Sequence, residues 1–437
     1  MILPAPDLEP RLQRRYKKLV TEHMNTSEVI ASGIRSLPGR GKAFASTQAA
    51  WRFYSNPSVT LEKLAEPLLD CARQSLADQC DNFALVAQDW TDLHYPSHSS
   101  KPDRIKLGRD FGYKLHTSLL LSDRSGLPLA PVSLSLFNTQ GVLTTRSAKS
   151  VADIAQLDDL INVMQYLDNQ QWGKPAVHII DREGDSVTHL RQWGFTGHYF
   201  LVRGKDNPTV MYEGRRQRLK EVAQQIELKN GAAVEVGANL VAQELVGETV
   251  IIIERAGCPQ RQRNGEKQVR KRVSGGRIRL RLIVSQLRLP DETVLAEWML
   301  ISNLPAEVEA ETISKWYYWR WSIESYFKLM KSGGHQLEQW QQESGEAIAK
   351  RLLVVAMASV VIWQLMNAKD AESERVRELL IRLSGRQVRK GQVTGSALLA
   401  GMWSLISMLD ALEEYEIGEL KGMARRVMPG YLEYKDG

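Results

Sequence analysis

The sequence predicts an α/β protein: a mixed sheet at the centre, a β-rich insertion, and helical segments at both ends. Three observations carry this. Antiparallel-type strands come first and alternating strand–helix units follow, the order of a mixed sheet covered by helices. Short alternating strands then fill residues 206 to 295. Helical spacing of apolar residues dominates the first 68 positions and resumes near Glu309.

Taken in order, the first stretch reads as short helices with basic punctuation, where Arg11, Arg14, Arg15, Lys17 and Lys18 recur within two turns. The loop LPGRGK (37–42) leads into a helix from about Ser46. Asn56-Pro57 ends that helix, because a residue before proline is steered out of the helical region. Thr60 is placed to cap the next helix, which carries Leu61, Leu64 and Leu68. Phe83 to Val86 reads as a strand running into QDWTD, with Asp89 at its end. Gly112 to Phe137 gives two or three strands around the turn Asp123-Arg124-Ser125-Gly126. Val151, Ile154, Leu157, Leu160, Ile161, Met164 and Leu167 have helical spacing. AVHII then forms a buried-type strand ending on Asp181, followed by a short helix (184–193) and the strand HYFLVRG. In the insertion, AAVEVGANLV, TVIIIERAG and RIRLRLIV surround a basic loop holding Arg261, Arg263, Lys267, Arg270, Lys271 and Arg272. The C-terminal helices are interrupted at Gly333-Gly334 and finish with an amphipathic helix around Trp403 to Tyr415.

Composition narrows the class. With 437 residues, 43% hydrophobic and 25% charged, the chain is neither disordered nor collagen-like nor a disulfide miniprotein. A length of this order suggests about three domains. The formal charge of +6 is modest for the length, so an anionic partner must be met by local basic clusters. Cys71, Cys80 and Cys258 form no Cys-x-x-Cys pair, which excludes a zinc ribbon and favours a reducing compartment. The N-terminal stretch lacks a signal pattern. The apolar run Leu352 to Trp363 is shorter than the ~20 residues a membrane span needs, so it reads as a core helix. The expectation is a soluble cytoplasmic protein.

Three carboxylates stand where chemistry is expected. Asp89 and Asp181 fall at strand ends, the usual place of function in open α/β sheets, although an aspartate there also serves as a turn residue or cap. Hard cations such as Mg²⁺ favour carboxylate oxygens in such corners. The third is sharper. In YYWRWSIESYFKLMK, Tyr317, Arg320, Glu324 and Lys331 are spaced three, four and seven apart and fall within about 60° of one another on a helix face. A carboxylate between two cations and a phenol can hold both a metal and a phosphate; a solvated face with an Arg320–Glu324 pair is the plainer alternative. His94-x3-His98 lacks a third ligand and reads as structural. Glu183 and Asp185 read as caps of the following helix, with Glu183 near enough to Asp181 to orient a metal-bound water. No glycine-rich phosphate loop or nucleophile elbow appears.

Asp89 in QDWTDL, Asp181 in IIDREGD and the Y-x2-R-x3-E-x6-K run from Tyr317 to Lys331 resemble the signature of bacterial DDE transposases. The branch is the insertion-sequence-four family, which includes the cut-and-paste enzymes of the kanamycin- and tetracycline-resistance composite transposons. The segment AAWRFYSNPSVT is similar to the N-terminal DNA-binding segment of the kanamycin-type enzyme. Trp90 and Asp92 look more like the tetracycline-type enzyme, and Pro96 stands near a position where an arginine contact is expected. The resemblance implies an RNase H-like catalytic domain (69–370, insertion about 206–296), an N-terminal helical DNA-binding domain (1–68) and a C-terminal helical dimerisation region (371–437). It implies that Asp89, Asp181 and Glu324 hold two Mg²⁺ ions, replaceable by Mn²⁺. Tyr317, Arg320, Lys331, Arg203 and Lys205 would contact DNA phosphates, and Trp298 and Trp321 would stack on a flipped base. The substrates implied are double-stranded transposon ends and target DNA, cut through a hairpin and joined from 3′-hydroxyls by a homodimer located at the nucleoid when bound, with no membrane partner. A silent DNA-binding regulator derived from such an enzyme, or a metal-dependent nuclease without joining, are the alternatives.

Overall fold

The computed structural model describes residues 3–24, 42–147, 151–152, 154–235, 241–257, 274–331, 335–386 and 393–427. Most of the loop at 37–42, the basic run from Arg261 to Arg272, Gly333-Gly334 and Cys258 lie outside them. The chain forms two compact units: Thr60–Phe327, and a helical unit that joins Met1–Val59 to Lys328–Gly437. These units cut the chain at other places than the bounds at 68 and 370 that the resemblance implies.

The first unit is built on one mixed sheet. Its leading strands are β1 (Ala84–His94), β2 (Ile105–Leu107), β3 (Asp110–Ser122), β4 (Pro128–Asn138), β5 (Gly141–Thr144), β6 (Ala176–Ile180) and β7 (Tyr199–Arg203). The later ones are β8 (Thr209–Tyr212), β9 (Arg215–Arg218), β10 (Lys229–Glu235), β11 (Val241–Ile253), β12 (Ile278–Arg288) and β13 (Val294–Ser302). The order across the sheet is β5-β4-β3-β1-β6-β7-β13-β12-β11-β8-β9, with β2 paired to β3 and β10 to β11. β3 runs antiparallel to both of its neighbours, β1 and β4, whereas β6 runs parallel to β1 and β7 parallel to β6. Parallel neighbours need crossovers, and the helices Gln156–Asp168 and Val187–Phe195 supply them. Every residue of β6 is buried, as expected of a strand covered on both faces. This arrangement is consistent with the RNase H-like fold that the resemblance implies.

Two sequence readings change. The β-rich insertion continues the same sheet: β13 pairs antiparallel with β7, and β8–β12 build outward from it. Without β13 the buried strand β7 would present an open edge, and pairing removes it. Strand β1 also extends to His94, well past Val86. Its apolar run ends at Ala87, but the ladder with β3 carries on to His94 opposite Gly112, so backbone pairing prolongs the strand through polar residues. Thr60 caps the helix Leu61–Gln79 as expected, its hydroxyl accepting from the Lys63 N–H at 3.3 Å.

In the helical unit, Pro10–His23 and Lys42–Tyr54 pack on Gly345–Asn367. That helix is 23 residues long, longer than its apolar run suggested, and apolar enough by length and composition to cross a membrane; most of it is buried in the unit's core. It is apolar all round because neighbours surround it. The helix Ala371–Leu383 and the helix Gly395–Glu414 close the core through Leu380, Leu398 and Leu399 against Ile362 and Leu329. Gly395–Glu414 also meets the membrane length criterion, and leaves Met408, Leu409 and Leu412 about half exposed.

Candidate active site

Register brings the first two carboxylates together. The parallel pairing of β1 with β6 ends at Gln88 opposite Ile180, so Asp89 and Asp181 are the next residues on adjacent strands. Asp89 is therefore mid-strand rather than at a strand end; what ends there is its parallel neighbour. Past that point the chain of β6 folds into the single turn Arg182–Gly184, capped by Asp181, whose Oδ1 accepts from the Glu183 N–H at 2.8 Å. Glycine suits position 184, since a Cβ there would lie 2.7 Å from Ile180 Cγ2 and force the packed side chains to shift.

The third carboxylate comes from the Y-R-E segment, but not on one continuous helix. The helix Ala310–Trp319 and the helix Ser322–Met330 are separated by a turn at Arg320 and Trp321. There the backbone tightens to bonds three residues apart: Arg320 N–H to Tyr317 C=O at 3.1 Å and Trp321 N–H to Tyr318 C=O at 3.3 Å. The β3–β4 turn braces both helices. Trp316 Nε1 donates to Asp123 C=O at 3.4 Å, Ser322 Oγ donates to Gly126 C=O at 3.3 Å, and Gly126 itself lies against the Trp319 indole.

Arg320 ties the constellation together. Its guanidinium reaches Asp89 Oδ2 at 3.2 Å through Nη1 and Glu324 Oε1 at 2.6 Å through Nη2, and sits 5.9 Å from the Tyr317 ring centre. It is itself buried, and its Nε has no hydrogen-bond partner among the described residues. Burial pushes the Asp89 carboxyl up to about 6; Arg320 and the Trp90 N–H oppose this, while Asp181 and Glu324 add to it. Asp181 and Glu324 are thus close enough to Asp89 to act on its charge, and the Arg320 guanidinium partly neutralises Asp89 and Glu324. Hard oxygen donors around a cation are what a divalent metal requires, and Arg320 stands where positive charge is needed.

The remaining expected residues separate. Tyr317 is buried, its hydroxyl pushed up first by that burial, and Arg203 at the end of β7 acts on it electrostatically. Lys205 donates from Nζ to the Asp185 C=O at 3.0 Å. Trp298 is only 6% exposed, in a cluster with Tyr317, Tyr318 and Trp321, and Trp321 meets it edge-on at 6.1 Å. The open rings are those of Tyr318 and Trp321, 41% and 48% exposed. Lys331 belongs to the helical unit and pairs with Glu338 at 3.5 Å. His94 pairs with Asp110 and His98 with Lys101.

Sequence reading missed a second polar group. Asp168, His178 and His198 bring donor atoms within 4.8 Å of one another. His198 Nδ1 bonds Asp168 at 2.6 Å, and His178 Nδ1 bonds Gln88 at 3.0 Å. The available signal is His178, a lone histidine in the otherwise wholly apolar strand AVHII. Glu183 does not head a capped α-helix either: it lies in the turn, and Asp185 is enclosed at its end.

Residues 84–361, more than half of the chain, match the transposase DDE domain family. Comparison with curated protein sequences gives no match.

Proposed function

The chain belongs to the transposase DDE domain family, and from that membership we propose that it carries out cut-and-paste DNA transposition with Asp89, Asp181 and Glu324 as its catalytic carboxylates. The observation that carries the assignment is the register of β1 and β6 together with the Arg320 bridge from Asp89 to Glu324. Two Mg²⁺ ions held by these carboxylates would activate a water or a 3′-hydroxyl and stabilise the leaving oxygen. Arg320, whose buried Nε has no partner among the described residues, and Tyr317 near its guanidinium would hold the phosphate being cut. Arg203 extends that contact in the same reading. Trp298 and Trp321 would receive a base flipped from a hairpin end, Trp321 first because its ring is exposed. The segment to residue 68 binds the transposon ends. The C-terminal helices from 371 pair two protomers, so that both ends are cut in one assembly.

The test uses the DNA that flanks the coding sequence, searched for inverted repeats that supply the end substrate. Wild-type protein with Mg²⁺ should nick this end, then join its 3′-hydroxyl to a target plasmid. Asp89→Ala, Asp181→Ala and Glu324→Ala should each abolish cleavage and keep end binding, because phosphate contacts elsewhere provide most DNA affinity. Cleavage without joining would favour the nuclease, and binding without cleavage the silent regulator. Wild-type rates in any one carboxylate variant would remove that residue from the site.

A further inference from the structure

Asp185 ends the turn that begins at Asp181, and its carboxylate is completely enclosed. Two other segments converge on it. Oδ2 accepts from the backbone N–H of Lys205, just beyond β7, at 2.7 Å; Oδ1 meets Nη2 of Arg255, just beyond β11, at 3.3 Å. Lys205 Nζ returns to the Asp185 carbonyl oxygen at 3.0 Å. A buried carboxylate persists only when partnered in this way, so the three loops are locked in one arrangement. Helix Val187–Phe195 adds a further tie, with Arg191 Nη2 donating to the Arg255 C=O at 2.7 Å.

Between these loops opens a cavity of about 500 Å³ lined by Arg182, Lys205, Asp206, Asn207, Pro208 and Arg255. Three cations face one acid, Asp206, whose pairing with Arg182 is long at 3.7 Å and solvent-exposed on both sides. An exposed pair of this kind contributes little and is readily exchanged for a better anion. The volume suits a nucleotide-sized ligand rather than a lone small ion. Arg182, one of the lining cations, directly follows Asp181 in the chain.

We propose that this cavity binds a phosphodiester of the DNA strand flanking the cut, gripped by Arg182 and Arg255, with Asp185 as the positioning residue that sets Arg255 and Lys205. The proposal rests on the reading of the chain as a DNA-cutting transposase, and it assigns Arg182, Arg255 and Asp185, which that reading left out. Guanidinium groups match phosphate oxygens in a fork, which makes Arg255 and Arg182 the specific contacts. Asp185 touches no DNA.

The experiment is fluorescence anisotropy of a labelled duplex of arbitrary sequence, titrated with full-length protein over a series of salt concentrations. Arg255→Gln and Arg182→Gln should each weaken binding about tenfold at low salt and reduce the slope of log affinity against log salt by about one. Asp185→Asn separates positioning from simple charge. Deleting a negative charge beneath the cavity would tighten DNA binding if charge alone mattered, whereas loss of positioning weakens it. Weaker binding with an unchanged circular dichroism spectrum supports the proposal, and tighter binding overturns the role of Asp185. If Asp185→Asn fails to fold, the two arginine variants decide. Wild-type affinity and slope in both would overturn the cavity as a phosphate site while leaving the transposase reading intact. Wild-type protein that binds no DNA would overturn that reading, and the cavity with it.

Discussion

At the residue scale, the two tryptophans beside the carboxylates make different demands. Trp298 is buried under its neighbours while Trp321 lies open, so stacking on Trp298 requires Trp321 to move first. Trp321→Ala should leave the fold intact, nick the first strand at a normal rate and accumulate nicked intermediate. A lost stack is worth about 1–3 kcal/mol, a slowing of roughly tenfold or more at the hairpin step proposed above. Trp298→Ala should in addition lower the melting temperature, because a large ring leaves a well-packed cluster. Gel analysis of strand products beside a thermal melt checks both. A Trp321→Ala protein that passes through all steps at the wild-type rate would take that ring out of the reaction. The residue types of this cluster were legible in the sequence. Which ring is open was not, because that depends on how the turn at Arg320 and Trp321 aims them.

At the element scale, the site depends on a turn that carries no catalytic group. Gly126 holds φ +70°, and a Cβ there would come within 2.2 Å of the Trp319 indole. Its carbonyl also anchors Ser322, at the start of the helix bearing Glu324. Gly126→Ala should therefore cost more than about 1 kcal/mol, from the left-handed backbone alone, and lower the melting temperature by a few degrees. It should also reduce cleavage more than DNA binding, since the helix pair shifts against β1. An unchanged melting temperature would show that the turn is not a brace. The sequence pattern did give the helical periodicity on both sides of Arg320. The break between them was hidden, because no proline or glycine marks it and the cause lies in contacts with residues some 190 positions earlier.

At the scale of the whole molecule, two predictions follow from burial. His116, His178 and His335 are enclosed, and loss of solvation pushes each down to about 3. His116 and His178 belong to the sheet unit and His335 to the helical unit. Above the ordinary histidine value of about 6.5 the folded and unfolded chains are equally neutral there, and stability is complete. Between about 6.5 and 3 the unfolded chain takes up protons that the folded chain refuses, so stability falls as pH falls, by roughly 1 kcal/mol per pH unit for each histidine. Melting scans from pH 7 to 4 should show both units losing stability, and a flat profile would contradict the burial of neutral imidazoles. The second prediction concerns pairing. Removing everything after 370 would strip Leu380, Leu398 and Leu399 from the core around Ile362, so truncation confuses folding with assembly. Met408→Glu with Leu409→Glu instead alters only the exposed face of Gly395–Glu414. This variant should melt like the wild type, bind single ends and fail to form paired-end dimers in sedimentation with DNA. Normal dimers would return that face to some other purpose.

Read by itself, the sequence determined the α/β class, the capping of Leu61–Gln79, the buried strand AVHII and the residue types of the carboxylate site. These are local properties: periodicity, turn chemistry and spacing are written within a few residues of where they act. The tertiary structure decided that Asp89 sits mid-strand beside Asp181, that Arg320 links two carboxylates, and that the insertion prolongs the main sheet. It also decided that Asp185 is an enclosed anchor rather than a helix cap. Each of these depends on register or on contact between segments far apart in the chain. A shift of one residue in the pairing of β1 with β6 leaves every local pattern intact while moving the two aspartates out of line.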